Sequence, residues 1–116
     1  MLQRDRQCLI KIREYCEDIQ TTISRYGASF EIFQEDRDYQ QSTAFCVLQI
    51  GELVGKLSED YRNATKEHMP WPQIKGMRNI VVHDYESLNI EIMWSIITKN
   101  ILELQQFCDE QLAGME

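Results

Sequence analysis

A chain of 116 residues with 43% apolar content can bury roughly two thirds of its unfolded surface, so neither a disulfide nor a structural metal is needed to hold it together. A formal net charge of -7 excludes non-specific attraction of nucleic acid to the whole surface, because that attraction comes from neutralising phosphates with Lys and Arg. Any nucleic-acid contact must rest on a basic partner or on a local basic site, for which Lys56, Arg62, Lys66, Lys75 and Arg78 of the middle third are the candidates.

The amino-terminal Met-Leu-Gln-Arg-Asp-Arg has charges with no apolar stretch behind them, and no segment approaches membrane-spanning length, so a cytoplasmic location is expected. From Leu2 to Tyr26 the residues Leu2, Leu9, Ile12, Cys16, Ile19, Ile23 and Tyr26 recur mostly at steps of three and four, the stripe of an amphipathic helix that Gly27 would stop. A short Ser29–Phe33 segment follows. Asp36 or Asp38 then caps a second long helix with the stripe Tyr39, Thr43, Cys46, Ile50, Leu53, Leu57, and with Phe45, Val47 and Val54 expected buried on its flanks. Gly51 and Gly55 share one face of that helix. They read as a place where another backbone comes close, against the alternative of two weak helix positions costing about 1 kcal/mol each.

Ser58 to Pro70 is polar, with Tyr61 as its one large anchor, and reads as a loop or frayed turn. Pro72 suits the first turn of a third helix through Ile74, Met77 and Val81. Ser87 or Asn89 caps a fourth, striped with Ile90, Met93, Trp94, Ile97, Ile101, Leu104, Cys108 and Leu112. With no alternating strand pattern, the expected fold is all-α: a single domain over residues 1–116, an up-and-down four-helix bundle with short additional helical segments. Cys8, Cys16, Cys46 and Cys108 lie at or beside apolar helical positions without CxxC or Cys/His spacing, so they read as reduced core thiols and no metal site is expected. Trp71 and Trp94 read as core anchors rather than base-stacking platforms.

The chemistry concentrates in Met77-Arg78-Asn79-Ile80-Val81-Val82-His83-Asp84-Tyr85, which places a permanent cation, a neutral-pH proton carrier and a phenol within eight residues. A guanidinium holds a phosphate through two parallel hydrogen bonds, an imidazole titrates near neutrality, and a phenol donates a proton or carries a modification. This grouping suggests phosphodiester chemistry without a metal. On one straight helix Arg78 and Tyr85 share a stripe, whereas His83 points about 140° away from Arg78. Either the helix breaks near His83, or a second copy of the chain completes the site across a two-fold axis. Ile80, Val81 and Val82 read as core.

Ile50-Gly51-Glu52, the Met69-Pro70-Trp71 turn and Gly76-Met77-Arg78-Asn79-Ile80-Val81-Val82-His83-Asp84-Tyr85 together resemble the HEPN superfamily, and within it the HepT-like toxins, over nearly the whole chain. The resemblance implies a metal-independent, cofactor-free endoribonuclease, usually a homodimer. Its implied partner is a small nucleotidyltransferase antitoxin, which silences it in part by attaching adenylate to the motif tyrosine, here Tyr85; a larger hetero-oligomer with the antitoxin is a further possibility. In that frame Arg78 clamps the scissile phosphate of the RNA substrate and stabilises charge growing on its oxygens. His83 acts as general base on the ribose 2'-hydroxyl or as general acid on the leaving 5'-oxygen, as suits a pKa of about 6.5. Tyr85 orients the phosphate or supplies the second proton. Asn79 either bonds a phosphate or caps a loop, and Glu52 either holds Arg78 or merely solvates its helix face. The acidic balance keeps a second reading open, a non-catalytic helical module that docks a nucleotidyltransferase or a nucleotide at the Arg-His-Tyr groove.

Overall fold

The computed structural model describes residues 2–83 and 89–114, excepting the side chains of Val82 and His83; helices dominate and no strand occurs among these residues. α1 (Gln3–Tyr26) buries Cys8, Leu9, Ile12, Cys16 and Ile19. It stops at Gly27, whose φ of 119° lies in the region that only glycine enters freely. Leu2, expected in the stripe, is exposed, because it sits one residue ahead of the helix in extended geometry where the helical period does not apply. The short segment after Gly27 is α2 (Phe30–Glu35), with Phe33 buried.

α3 (Arg37–Lys56) is capped by Asp36 rather than Asp38, the carboxylate accepting from the Tyr39 amide at 3.1 Å. The buried Tyr39 ring stacks on Tyr26 and meets Phe33 edge-on, while its hydroxyl donates to the Gly27 carbonyl at 3.0 Å, locking the turn between α1 and α3. Thr43, Cys46, Val47, Ile50 and Val54 face inward. Phe45, expected buried, is 55% exposed: it lies off the arc those residues define, and its ring meets Tyr15 edge-on from the outside.

Residues 58–70 are not the expected loop, for they contain α4 (Glu59–Thr65). The helix forms because Ser58 caps it, Oγ accepting from the Tyr61 amide at 3.1 Å, and because Tyr61 and Thr65, one turn apart, both bury. Its start is pinned to α1 by Asp5, 1% exposed, whose carboxylate accepts from the Ser58 amide and hydroxyl at 2.7 Å each. Tyr61 donates to Gln111 at 2.8 Å. Trp71 Nε1 donates to Thr65 Oγ1 at 2.9 Å, and the Trp71 ring meets Phe107 edge-on, so Trp71 is the expected core anchor and fixes the origin of the next helix.

That helix, α5 (Trp71–His83), carries Pro72 in its first turn, where no amide hydrogen is needed, and buries Ile74, Met77 and Val81. After the undescribed residues, which include Ser87, Asn89 caps α6 (Ile90–Ser95) by accepting from the Ile92 amide at 3.1 Å. The rod continues through a π-helical stretch at Ile96–Asn100 into α7 (Ile101–Ala113). The wider π turn adds a residue to the repeat, so Ile96, Ile97 and Ile101 all reach the core. Trp94 is half-buried against Phe33 and Tyr39.

α3 packs between α1 and α5, and α1 packs in turn on α7. Four long rods with two short helices at their connections make this an all-α bundle, as the apolar stripes predict. All four cysteines are buried and unpaired; burial pushes the Cys46 thiol up to about 11 and Cys108 up to about 12, so they remain protonated packing groups. No described helix is long and apolar enough to cross a membrane.

Candidate active site

The motif arginine sits where α5 comes close to α3. A Cβ placed on Gly51 would lie 2.7 Å from Cβ of Arg78 and 3.6 Å from the Lys75 carbonyl, so only glycine lets the two backbones meet there. One turn on, a Cβ at Gly55 would find only the end of the Lys75 side chain at 3.6 Å, ordinary van der Waals contact. Of the two glycines, therefore, Gly51 makes the close approach and Gly55 does not.

Close approach at Gly51 puts the next residue, Glu52, against Arg78. The Glu52 carboxylate pairs with Arg78 Nε, both side chains remaining partly exposed at 52% and 40%. The ion pair puts the Glu52 carboxylate on Arg78. Because the bond uses Nε, the terminal nitrogens of the guanidinium are left for another acceptor.

Beside this pair lies an open cavity of about 460 Å³, whose walls include Lys56, Lys75, Arg78 and Asn79. Gly76 lines it as well, and a Cβ added there would meet nothing within 4 Å. An adjoining cavity of about 330 Å³ shares Pro72 and Lys75 and adds Arg62 and Glu59. Elsewhere, a hollow of about 450 Å³ is lined by Glu103 and Glu110 with His68, and its acids would repel a phosphate. Positive charge on this acidic chain thus gathers on the α3–α5 side. Four of the five cations singled out from the sequence line the two cavities; Lys66 lines neither.

Residues 12–111 match the family described as Ribonuclease HepT-like. The chain belongs to the HepT-like ribonuclease family. A protein of Caldanaerobacter subterraneus subsp. tengcongensis with a provisional RNase designation is 32% identical over 111 residues, 96% of each chain. "Probable ribonuclease HepT" of Thermococcus cleftensis is 27% identical, covering 80% of this chain and 88% of its own. "mRNA nuclease HepT" of Shewanella oneidensis is 30% identical, over 83% of this chain and 61% of its own. No solved structure matches the chain at a significant level.

Within this HepT-like chain Arg78, Glu52 and Asn79 meet at one cleft, although Glu52 is 26 residues from Arg78 in sequence. α5 stays helical through His83, so the helix does not break ahead of the histidine. The His83 side chain and all of Tyr85 lie outside the described residues, as does the expected convergence of the Arg-His-Tyr group. What the sequence did not signal is the Asp5–Ser58 anchor: a lone aspartate in the first turn of an exposed-looking helix start gives no hint of a partner 53 residues away.

Proposed function

We propose that this protein is a metal-independent endoribonuclease toxin, cleaving RNA by transesterification through the Arg-x4-His-x-Tyr motif. The observation that carries the reading is the ion pair of Glu52 with Arg78, because it joins the Gly-Glu pair to the motif in a chain of a ribonuclease family. Held at Nε, Arg78 presents its terminal N–H groups to the scissile phosphate and offsets charge that builds on the non-bridging oxygens. His83 takes the proton from the 2'-hydroxyl as that oxygen attacks phosphorus, or returns a proton to the departing 5'-oxygen. The products are a 2',3'-cyclic phosphate and a free 5'-hydroxyl. Tyr85 orients the phosphate or supplies the other proton, and Asn79, exposed at the cavity edge, adds an amide donor.

The same reading makes the protein a cytoplasmic homodimer, governed by a nucleotidyltransferase antitoxin that adenylates Tyr85. The adduct would bring bulk and negative charge to the place the RNA phosphate must occupy, which inhibits by exclusion and repulsion. The net charge of -7 favours the second reading, a docking module without catalysis.

Incubation of wild type, Arg78→Ala and His83→Ala with total cellular RNA in EDTA separates the two. Cleavage by wild type alone, leaving cyclic phosphate ends, supports the nuclease; intact RNA with folded, unmodified wild type moves the assignment to docking. Intact mass after incubation with the antitoxin and ATP tests the modification, with Tyr85→Phe expected to stay unchanged.

A further inference from the structure

We infer that the two adjoining cavities form one track for the sugar-phosphate backbone of single-stranded RNA, with Lys75 at their junction and Arg62 at the far end from Arg78. The inference rests on the ribonuclease reading for the identity of its ligand. Lys56, Lys75 and Arg78 line the first cavity and Lys75 and Arg62 the second, against the two acids Glu52 and Glu59, so the track is net positive on a chain of net charge -7.

Apart from Arg78, these cations have no salt-bridge partner among the described residues. Among the described residues the ion pairs are Arg13–Asp109 and Arg78–Glu52, so Lys56, Lys75 and Arg62 have no carboxylate within pairing distance. Arg62 goes further: its Nε is buried and has no hydrogen-bond partner among the described residues. Arg62 lines the second cavity and pairs with no carboxylate among the described residues, and a guanidinium of that kind suits a phosphate through its terminal N–H groups.

The kind of recognition follows from what else lines the track. Trp71 borders the second cavity but is 2% exposed and committed to Thr65 and Phe107, so it offers no face on which a base can stack. Glycines at 51, 55 and 76 line the first cavity with Pro72 and the polar or charged Glu52, Lys56, Lys75, Arg78 and Asn79, so it too offers no aromatic face. Binding therefore reads charge along the strand and is tolerant of sequence, and its strength depends on salt. A cleft between helices admits one strand's phosphates in succession. A duplex would meet it only at its outer edge.

The test uses the whole protein and a mixed-sequence 2'-O-methyl oligoribonucleotide, which cannot be cut because it lacks the attacking hydroxyl, with affinity measured across a salt series. Lys75→Ala and Arg62→Ala should each weaken binding about fivefold and lower the log–log salt slope by about 0.7, the value for one single-strand phosphate contact. Lys75→Arg should restore both, Lys66→Ala should change neither, and annealing the oligonucleotide to its complement should weaken binding. Unchanged affinity and slope in Lys75→Ala and Arg62→Ala overturn the track, as would a duplex bound as tightly as the single strand. If wild type cuts no RNA in EDTA while the oligonucleotide still depends on Lys75 and Arg62, the catalytic reading fails and the track stands.

Discussion

The contact at Gly51 allows a controlled perturbation, because Gly55 on the same helix supplies its own reference. Alanine gains about 1 kcal/mol over glycine in a helix interior, and this gain is common to both positions. At Gly55 the new methyl meets only the flexible end of Lys75 at 3.6 Å, so Gly55→Ala should be stabilised by up to about 1 kcal/mol. At Gly51 it would stand 2.7 Å from Cβ of Arg78, an atom that moves only with the α5 backbone. Bringing that pair to ordinary separation requires the two helices to part by about 1 Å, and overpacking of this kind costs roughly 1–3 kcal/mol. The two alanine variants should then differ by about 1–3 kcal/mol, Gly51→Ala being the less stable. With a urea slope of about 1.5 kcal/mol/M, the unfolding midpoints should separate by roughly 0.7–2 M. Parting the helices also carries Arg78 away from Glu52, so RNA cleavage by Gly51→Ala should fall at concentrations of urea where it is still fully folded. Equal midpoints for the two variants would refute the close approach and, with it, the account of how Arg78 is placed.

Asp5→Ala removes a buried carboxylate and leaves the Ser58 amide without its partner, so urea unfolding should show a loss of about 2–3 kcal/mol, whereas Glu14→Ala on the outer face of α1 should change little. Glu52→Gln should leave the unfolding midpoint within about 0.5 kcal/mol, since the pair is partly exposed, yet lower kcat roughly ten- to a hundredfold by freeing Arg78; an unchanged kcat would deny Glu52 a positioning role. Burial raises the Cys46 and Cys108 thiols from 9.0 to about 11 and about 12, so the unfolded chain gives up these protons first as pH rises. The stability they contribute is whole below pH 9.0 and drains away toward pH 11–12, at up to about 1.4 kcal/mol per pH unit for each thiol. Urea midpoints measured under reducing conditions from pH 8 upward should fall, and less steeply in Cys108→Ala; a flat profile would contradict the burial.

The sequence by itself determined the four long helices, because each carries an apolar stripe at steps of three and four, with Gly27, Asp36 or Asp38, Pro72, and Ser87 or Asn89 as boundary signals. It also singled out Arg78, since an arginine, a histidine and a tyrosine at that spacing are visible without any fold, while the charge balance pointed to the middle-third cations and the family resemblance to Glu52. Local periodicity does not carry what depends on partners distant in sequence. Phe45 reads as buried until the arc of α3 that α1 and α5 cover is known, and α4 reads as a loop until Asp5 and Trp71 close on its two ends. The widened turn at Ile96–Asn100 likewise answers to the core around it rather than to its own residues. Only the tertiary structure decided that Glu52 grips Arg78 and that Lys56, Lys75 and Arg62 line adjoining clefts. A single missing side chain at Gly51 permits the close approach of α3 and α5, and that approach brings Glu52 and Arg78, far apart in the chain, to one cleft.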